Sequence, residues 1–266
     1  MSENNLNIDE KYLKTAITNI KPNEIFIRGY NQEELIENIS FSDNTFLLLK
    51  GRLPSPEEGK LFNHILVSFS DHGLTPPSTL SSKIIASSGS PMNNAVAGGL
   101  LAFGKNHAGA IEDAMNLFKK SVNRLKLIGD AEIDNKMIVQ LAIDVFNEYI
   151  GENKKIPGFG HRYHDKDPRA CKLLDLAIAE EMVGPHTKFA FTLQNLLSDN
   201  KNIYLNIDGA NAALLSDLGF DSRIGLGIFI IGRVPGIVAN VYEESVEEEV
   251  FRKFYDLDDI SYKQNK

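Results

Sequence analysis

Pro157-Gly158-Phe159-Gly160-His161-Arg162, followed by Asp167-Pro168-Arg169-Ala170, is the stretch from which the rest of this 266-residue chain is read. Two glycines flanking a phenylalanine let the backbone come close to a ligand, and its amides can bind an adenine edge or a carbonyl. Asp167-Pro168 then reads as an acidic N-cap with proline at the first helical position. Cys171, Leu173, Leu174, Leu176 and Ala177 follow as an apolar run, with Gly184-Pro185 as the stop. Arg169 falls in the first turn, beside the loop. On local pattern alone, a ligand-cradling loop and a helix-terminating turn with a surface histidine stand level.

Outward from this element the signals are helical. Ser55-Pro56-Glu57-Glu58 has the form of a capping box ahead of Leu61, Phe62, Ile65, Leu66 and Phe69, a helix that delivers Asp71-His72 at its end. Further helices are expected over 9–20, 43–50, 78–88, 92–104, 108–126, 134–150, 187–197, 209–217 and 224–242, with strands only at Glu24 to Arg28 and Ile203 to Ile207. No alternation of strand and helix suggests a doubly wound sheet, so the expected fold class is all-α. No repeat or flexible linker is visible, so a second domain is expected as an insertion within the first.

Composition narrows the function classes. With 42% hydrophobic and 24% charged residues the chain can bury a large core. Cys171 is its single cysteine, and the N-terminus lacks the look of a signal or transit peptide, so a cytoplasmic protein is expected. The apolar stretch Ile224 to Val238 is interrupted by Arg233 and Pro235, and no membrane insertion is expected. A net charge of −8, with acidic residues gathered after Glu243, argues against nucleic acid as a partner.

Two more segments place ionisable groups in apolar or glycine-rich settings. In Asn202-Ile203-Tyr204-Leu205-Asn206-Ile207-Asp208-Gly209 the carboxylate follows an apolar run; as an N-cap Asp208 would be ordinary, whereas in an apolar pocket its pKa would rise and it could exchange protons. Gly104-Lys105-Asn106-His107-Ala108-Gly109 puts a histidine at a helix-to-helix junction, where a lone histidine is more often structural.

Together these segments resemble the citrate synthase superfamily. Pro157 to His161 with Asp167 to Arg169 is similar to its PGFGH-R…DPR motif, Asn206 to Gly209 to its aspartate segment, and Asn106 to Gly109 to its HGG motif. Arg28-Gly29-Tyr30 with Glu33-Glu34-Leu35, Leu47 to Pro54, Asp71-His72-Gly73, and Gly232-Arg233 with Gly236 match further segments in order. The resemblance implies a large helical domain (1–108 and 221–266) carrying a small inserted one (109–220). It also implies carbon–carbon bond chemistry on a coenzyme A thioester, with no metal. By resemblance, Asp208 is the acid/base at carbon, His107 the enol stabiliser and His161 the acid/base at oxygen. His72, Arg169 and Arg233 bind substrate carboxylates, and Ile156, Pro157, Gly158, Phe159 and Arg162 mark the coenzyme A site. These residue types suit such chemistry, because a thioester carbon acid needs a placed base and donors aimed at its oxygen, and carboxylates favour forked arginines.

Only 16 residues separate Pro54 from Asp71, where citrate synthases carry a long helical stretch. That short form, with Asp258-Asp259-Ile260-Ser261-Tyr262, resembles free-standing citryl-CoA lyase and the corresponding module of ATP-citrate lyase. The implied reaction is cleavage of citryl-CoA to acetyl-CoA and oxaloacetate, in a homodimer or larger oligomer, with a citryl-CoA synthetase as a possible partner. The alternatives are condensation, as in citrate or 2-methylcitrate synthase, and a non-catalytic subunit that binds coenzyme A esters. The spacing from His161 to Arg169 is one residue shorter than the family's, and Asn240 stands where the family has histidine.

Overall fold

The computed structural model describes residues 14–126 and 134–263, among which are eleven α-helices and one three-stranded antiparallel sheet. The chain divides into two compact units, 1–63 and 64–266. In the first, β1 (Thr18–Lys21) pairs with β2 (Glu24–Ile27), which pairs with β3 (Tyr30–Asn31). Thr18 faces Ile27 and Ile20 faces Ile25 across the strands, pairings that suit β-branched side chains. The helix expected over 9–20 is therefore not found in residues 14–20, and residues 9–13 lie outside the described ones. Helix α1 (Gln32–Asn38), capped by the Asn31 side chain, is too short to show a helical period in sequence. Helix α2 (Phe41–Lys50) is capped by Ser40.

Helix α3 (Pro56–Ser68) begins with the expected capping box: Glu58 N–H donates to Ser55 Oγ at 3.2 Å and Ser55 N–H to Glu58 Oε2 at 2.9 Å. In the second unit, α4 (Pro77–Ser87), α5 (Met92–Leu101) and α11 (Gly225–Glu247) pack together over Ala86, Ala95, Ile237 and Val241. The other group comprises α6 (Ala110–Lys126), α7 (Asn135–Gly151), α8 (Pro168–Ala179), α9 (Pro185–Lys201) and α10 (Ile207–Asp217). Helix α10 is buried from Gly209 through Ser216, with α6, α8 and α9 packed on it. Its run of Gly, Ala and Asn leaves room for neighbours to approach closely.

Four local expectations are corrected. Helix α8 ends at Ala179, with Glu181 in the left-handed region at φ 56°, and Gly184-Pro185 opens α9 instead of closing α8. Ile203 to Ile207 forms no strand: one bridge joins Leu205 to Phe159, and Ile207 already begins α10. The N-cap of α10 is Asn206, whose side chain accepts from Gly209 N–H, so Asp208 sits inside the first turn with its carboxylate free of capping duty. The apolar stretch near the C-terminus also runs on unbroken through Arg233 and Pro235. By length and composition Ser222–Glu247 is sufficient to cross a membrane. Its face carrying Ile228, Phe229, Gly232, Arg233, Ile237, Val241 and Glu244 is buried in protein, the pattern of a core helix.

The loop before α8 approaches α10 backbone to backbone at Gly158 and Gly209. Gly158 and Gly160 have φ of +85° and +80°, values that favour glycine, and a Cβ on Gly158 would lie 2.6 Å from the Cα of Gly209. Gly209→Ala should therefore lower unfolding free energy by roughly 1–3 kcal/mol through overpacking. Gly151→Ala, where a Cβ meets nothing within 4 Å, should be nearly silent in the same denaturant titration.

Candidate active site

The segment between α3 and α4, the turn before α6, the loop before α8, the start of α10 and the middle of α11 all meet at one cavity of about 330 Å³. Its walls include His72, His107, His161, Arg162, Arg169, Asp208, Phe229 and Arg233. All six residues expected to do chemistry or bind carboxylates thus share one site. Each is brought there by an identifiable local cause.

Arg233 reaches the cavity because α11 lies close on the segment leading out of α3. A Cβ at Gly232 would stand 2.7 Å from Leu66 O, so only glycine permits this approach. The buried guanidinium donates from Nε to Phe69 O at 2.5 Å and stacks over the Phe229 ring at 5.1 Å. Asn240, two turns further along α11, donates to Asp71 Oδ1 at 3.2 Å and so steadies the segment that carries His72.

His107 is presented by a tight turn in which Gly104 and His107 exchange backbone hydrogen bonds of 3.0 and 2.9 Å. Ala108 occupies the left-handed region at φ 66°, a strained choice for a residue with a Cβ. The imidazole stacks on Phe103 with ring centroids 4.8 Å apart, and its Nε2 lies 2.8 Å from the hydroxyl of the buried Ser78. With that hydroxyl donating, the neutral ring carries its proton on Nδ1.

His161 follows the Gly-Phe-Gly turn, and its Nδ1 accepts from the N–H groups of Tyr163 (3.2 Å) and His164 (3.3 Å). The neutral ring then bears its proton on Nε2. Its centroid lies 5.4 Å from that of His72 in an edge-to-face arrangement. Burial lowers the proton affinity of His72, His107 and His161 and nearby arginines lower it further, against an opposing pull from Asp167 at His72 and His161, so each lies below the ordinary histidine value and the neutral form predominates at pH 7.

Asp208 is shifted the other way. Desolvation raises its pKa to about 6, with the charge of Asp167 adding to the rise and Arg169 and Arg233 opposing it. Its ordinary value of 3.8 applies to the unfolded chain, so the folded state loses stability as pH climbs from that value through about 6. Above that range the deficit is about 3 kcal/mol. Asp208→Asn should accordingly raise the unfolding temperature at pH 8, and the gain should vanish below about pH 4, where both states bind the proton. Thermal unfolding at the two pH values checks this.

A second cavity, of about 380 Å³, shares Gly160, His161 and Arg162 with the first and is lined also by Ile150, Lys154, Lys155, Ile156, Phe159, Leu197, Lys201 and Ile203. Of the residues expected to bind coenzyme A, Ile156, Phe159 and Arg162 are on its wall. Pro157 and Gly158 are not, and Gly158 instead packs against α10. Among the described residues no group of three or more His, Cys, Asp or Glu side chains is arranged to hold a metal ion.

The family model for the citrate synthase C-terminal domain matches residues 9–67 and 54–253. The chain belongs to the citrate synthase family. Among solved citrate synthase-like structures, citryl-CoA lyase from Hydrogenobacter thermophilus is 40% identical with a TM-score of 0.85, and the alignment covers 96% of each chain. ATP citrate lyase from Methanothrix soehngenii is 20% identical with a TM-score of 0.80, over 96% of this chain and 42% of that one, a likeness of fold. Citrate/2-methylcitrate synthase of Bacillus subtilis is 29% identical over 82% of this chain and 56% of its own length. Citrate synthase of Heyndrickxia coagulans is 27% identical over 94% and 65%. The chain thus spans less than two thirds of the length of these two synthases.

Sequence reasoning missed several residues at the site. Ser78 had only the Pro-Pro-Ser helix start as a signal. Lys154, Lys155 and Lys201 belong to no local motif, and only the packing of α7, α9 and the loop before α8 places them around one cavity.

Proposed function

We propose that the chain cleaves citryl-CoA to acetyl-CoA and oxaloacetate. The observation that carries this reading is the convergence of Asp208, His107 and His161 with Arg169, Arg233 and His72 on one cavity. The 40% identity to a citryl-CoA lyase over nearly the whole chain supports it.

In this reading Arg169, Arg233 and His72 hold the two free carboxylates of citryl-CoA. The hydroxyl on the central carbon gives its proton to His161 and becomes the ketone of oxaloacetate. The carbon–carbon bond to the thioester arm breaks, and its electron pair passes into the enolate of acetyl-CoA. The Nδ1–H of His107 hydrogen-bonds the thioester oxygen where that charge gathers. Asp208, protonated, then delivers its proton to the enolate carbon, giving the methyl group. A carboxyl with pKa near 6 keeps a protonated fraction at neutral pH, and a neutral imidazole suits the donor role of His107.

The second cavity is assigned to coenzyme A as the carrier of the thioester. Lys154, Lys155, Lys201 and Arg162 face its phosphates and Ile156, Phe159, Leu197 and Ile203 its apolar parts, while the shared wall at Gly160 to Arg162 lets the thioester reach the first cavity. To the same proposal belong the large domain (1–108 and 221–266) and small domain (109–220), cytoplasmic location, a possible citryl-CoA synthetase, and a homo-oligomer. Exposed Ile84, Met92 and Leu101 on α4 and α5 favour the oligomer.

A specific observation favours the reverse reaction as a second reading. With Nδ1 of His161 taken by two amides, the substrate-free ring presents N–H, and so donates toward a ketone oxygen as condensation requires. To take a hydroxyl proton the ring needs its lone pair on Nε2, which costs both loop hydrogen bonds. Incubation with citryl-CoA separates the readings: acetyl-CoA with oxaloacetate is expected. Citrate with free coenzyme A would mean a synthase, and binding without turnover a non-catalytic subunit. If Asp208 is the acid in cleavage, kcat/KM should fall as pH rises through about 6, while condensation should gain over the same range.

A further inference from the structure

Asp167 is the most fully engaged buried carboxylate beside the site, and the proposed chemistry gives it no role. Its side chain is inaccessible to solvent, and each of its oxygens accepts twice. Oδ1 takes the backbone N–H of Arg169 (3.1 Å) and the guanidinium Nε (3.0 Å). Oδ2 takes the guanidinium Nη2 (2.9 Å) and the backbone N–H of Ile207 (3.1 Å). Capping α8 requires only the first of these bonds. The other three tie the Arg169 side chain to the first residue of α10, one position before Asp208.

Burial pushes the Asp167 carboxyl up, but the Arg169 hydrogen bonds and charge and the two backbone amides outweigh it and hold the group below the ordinary carboxylate range. It is therefore a fixed negative charge. Asn206 reinforces the junction from the other side, donating to Gly160 O at 2.8 Å while it caps α10. The loop bearing His161, the guanidinium of Arg169 and the start of α10 are thereby joined in one hydrogen-bonded unit.

We infer that Asp167 is a positioning residue that holds the carboxylate-binding arginine and the proton-transferring aspartate in one fixed relation. It occupies one edge of the Arg169 guanidinium so that the remaining N–H groups face the substrate in a single orientation. It also sets the electrostatic balance at Asp208 through its own charge. The inference rests on the proposed roles of Arg169 and Asp208. The charged and titratable groups around Asp208 are Asp167 and Arg169 at the start of α8, Arg162 and Tyr163 in the loop before it, Arg233 on α11, and the three pocket histidines. Neutralising Asp167 removes a negative charge and leaves Arg169 uncompensated, and both changes favour ionised Asp208. Neutralising Arg169 does the reverse.

The test is carboxyl 13C NMR of aspartate-labelled, substrate-free protein, with the Asp208 signal identified by its loss in Asp208→Asn. Asp167→Asn should move the Asp208 titration to lower pH, and Arg169→Gln, at the pocket rim, should move it to higher pH. Asp167→Asn should also raise KM for citryl-CoA by roughly tenfold, as a charge-assisted pair that orients the arginine is lost. A folded Asp167→Asn with unchanged titration and KM would overturn the inference. Should that variant not fold, a downward or absent shift in Arg169→Gln would overturn it instead. The titration is read without substrate, so failure of the wild type to cleave citryl-CoA would refute the proposed activity while the shifts still decide the role of Asp167.

Discussion

The backbone of Gly158 lies against that of Gly209 with no side chain between them, and the site depends on that contact. It lets the carbonyl of Gly158 accept from Asn206 N–H at 3.1 Å and the N–H of Gly160 reach Tyr204 O at 2.8 Å. The loop and the start of α10 therefore move as one piece. Because His161 follows Gly160 in that loop and Asp208 lies in the first turn of that helix, two groups 47 residues apart in sequence (208 − 161) acquire a fixed separation. A Cβ at either glycine would force the two stretches of chain apart, and with them the proposed acid and base.

Around this contact the protein arranges groups with opposed proton affinities. Burial raises Asp208 toward neutrality, whereas burial and arginine charges lower the three histidines. The result at neutral pH is a carboxyl able to gain or lose a proton among imidazoles held uncharged. Such a pairing costs stability, as ionising a desolvated carboxylate must. The cost is understandable if the carboxyl is needed for proton transfer at carbon.

Features determined by neighbouring residues were legible in the sequence. The Ser55 to Glu58 box and the Asp167-Pro168 start were readable because capping involves groups two or three positions apart. The site residues were legible mainly by resemblance, since on local pattern His107 and Asp208 had ordinary structural readings. What escaped was set by distant contacts or competing short signals. The bond from Ile207 to Asp167 joins positions 40 apart, and Ser78 meets His107 across 29. The cap of α10 was misplaced by two residues because Asn206 and Asp208 are both good caps and only the helix start chooses between them. Strand β1 was read as helix because it is short and its apolar spacing suits either period.

Proton transfer by Asp208 at the thioester carbon is the central step of the proposed reaction, and cleavage of citryl-CoA in deuterium oxide measures it directly. The wild type should yield acetyl-CoA carrying one deuterium in its methyl group, and Asp208→Asn should form it roughly 10²–10⁴-fold more slowly. Singly deuterated acetyl-CoA produced by Asp208→Asn at the wild-type rate would contradict that role.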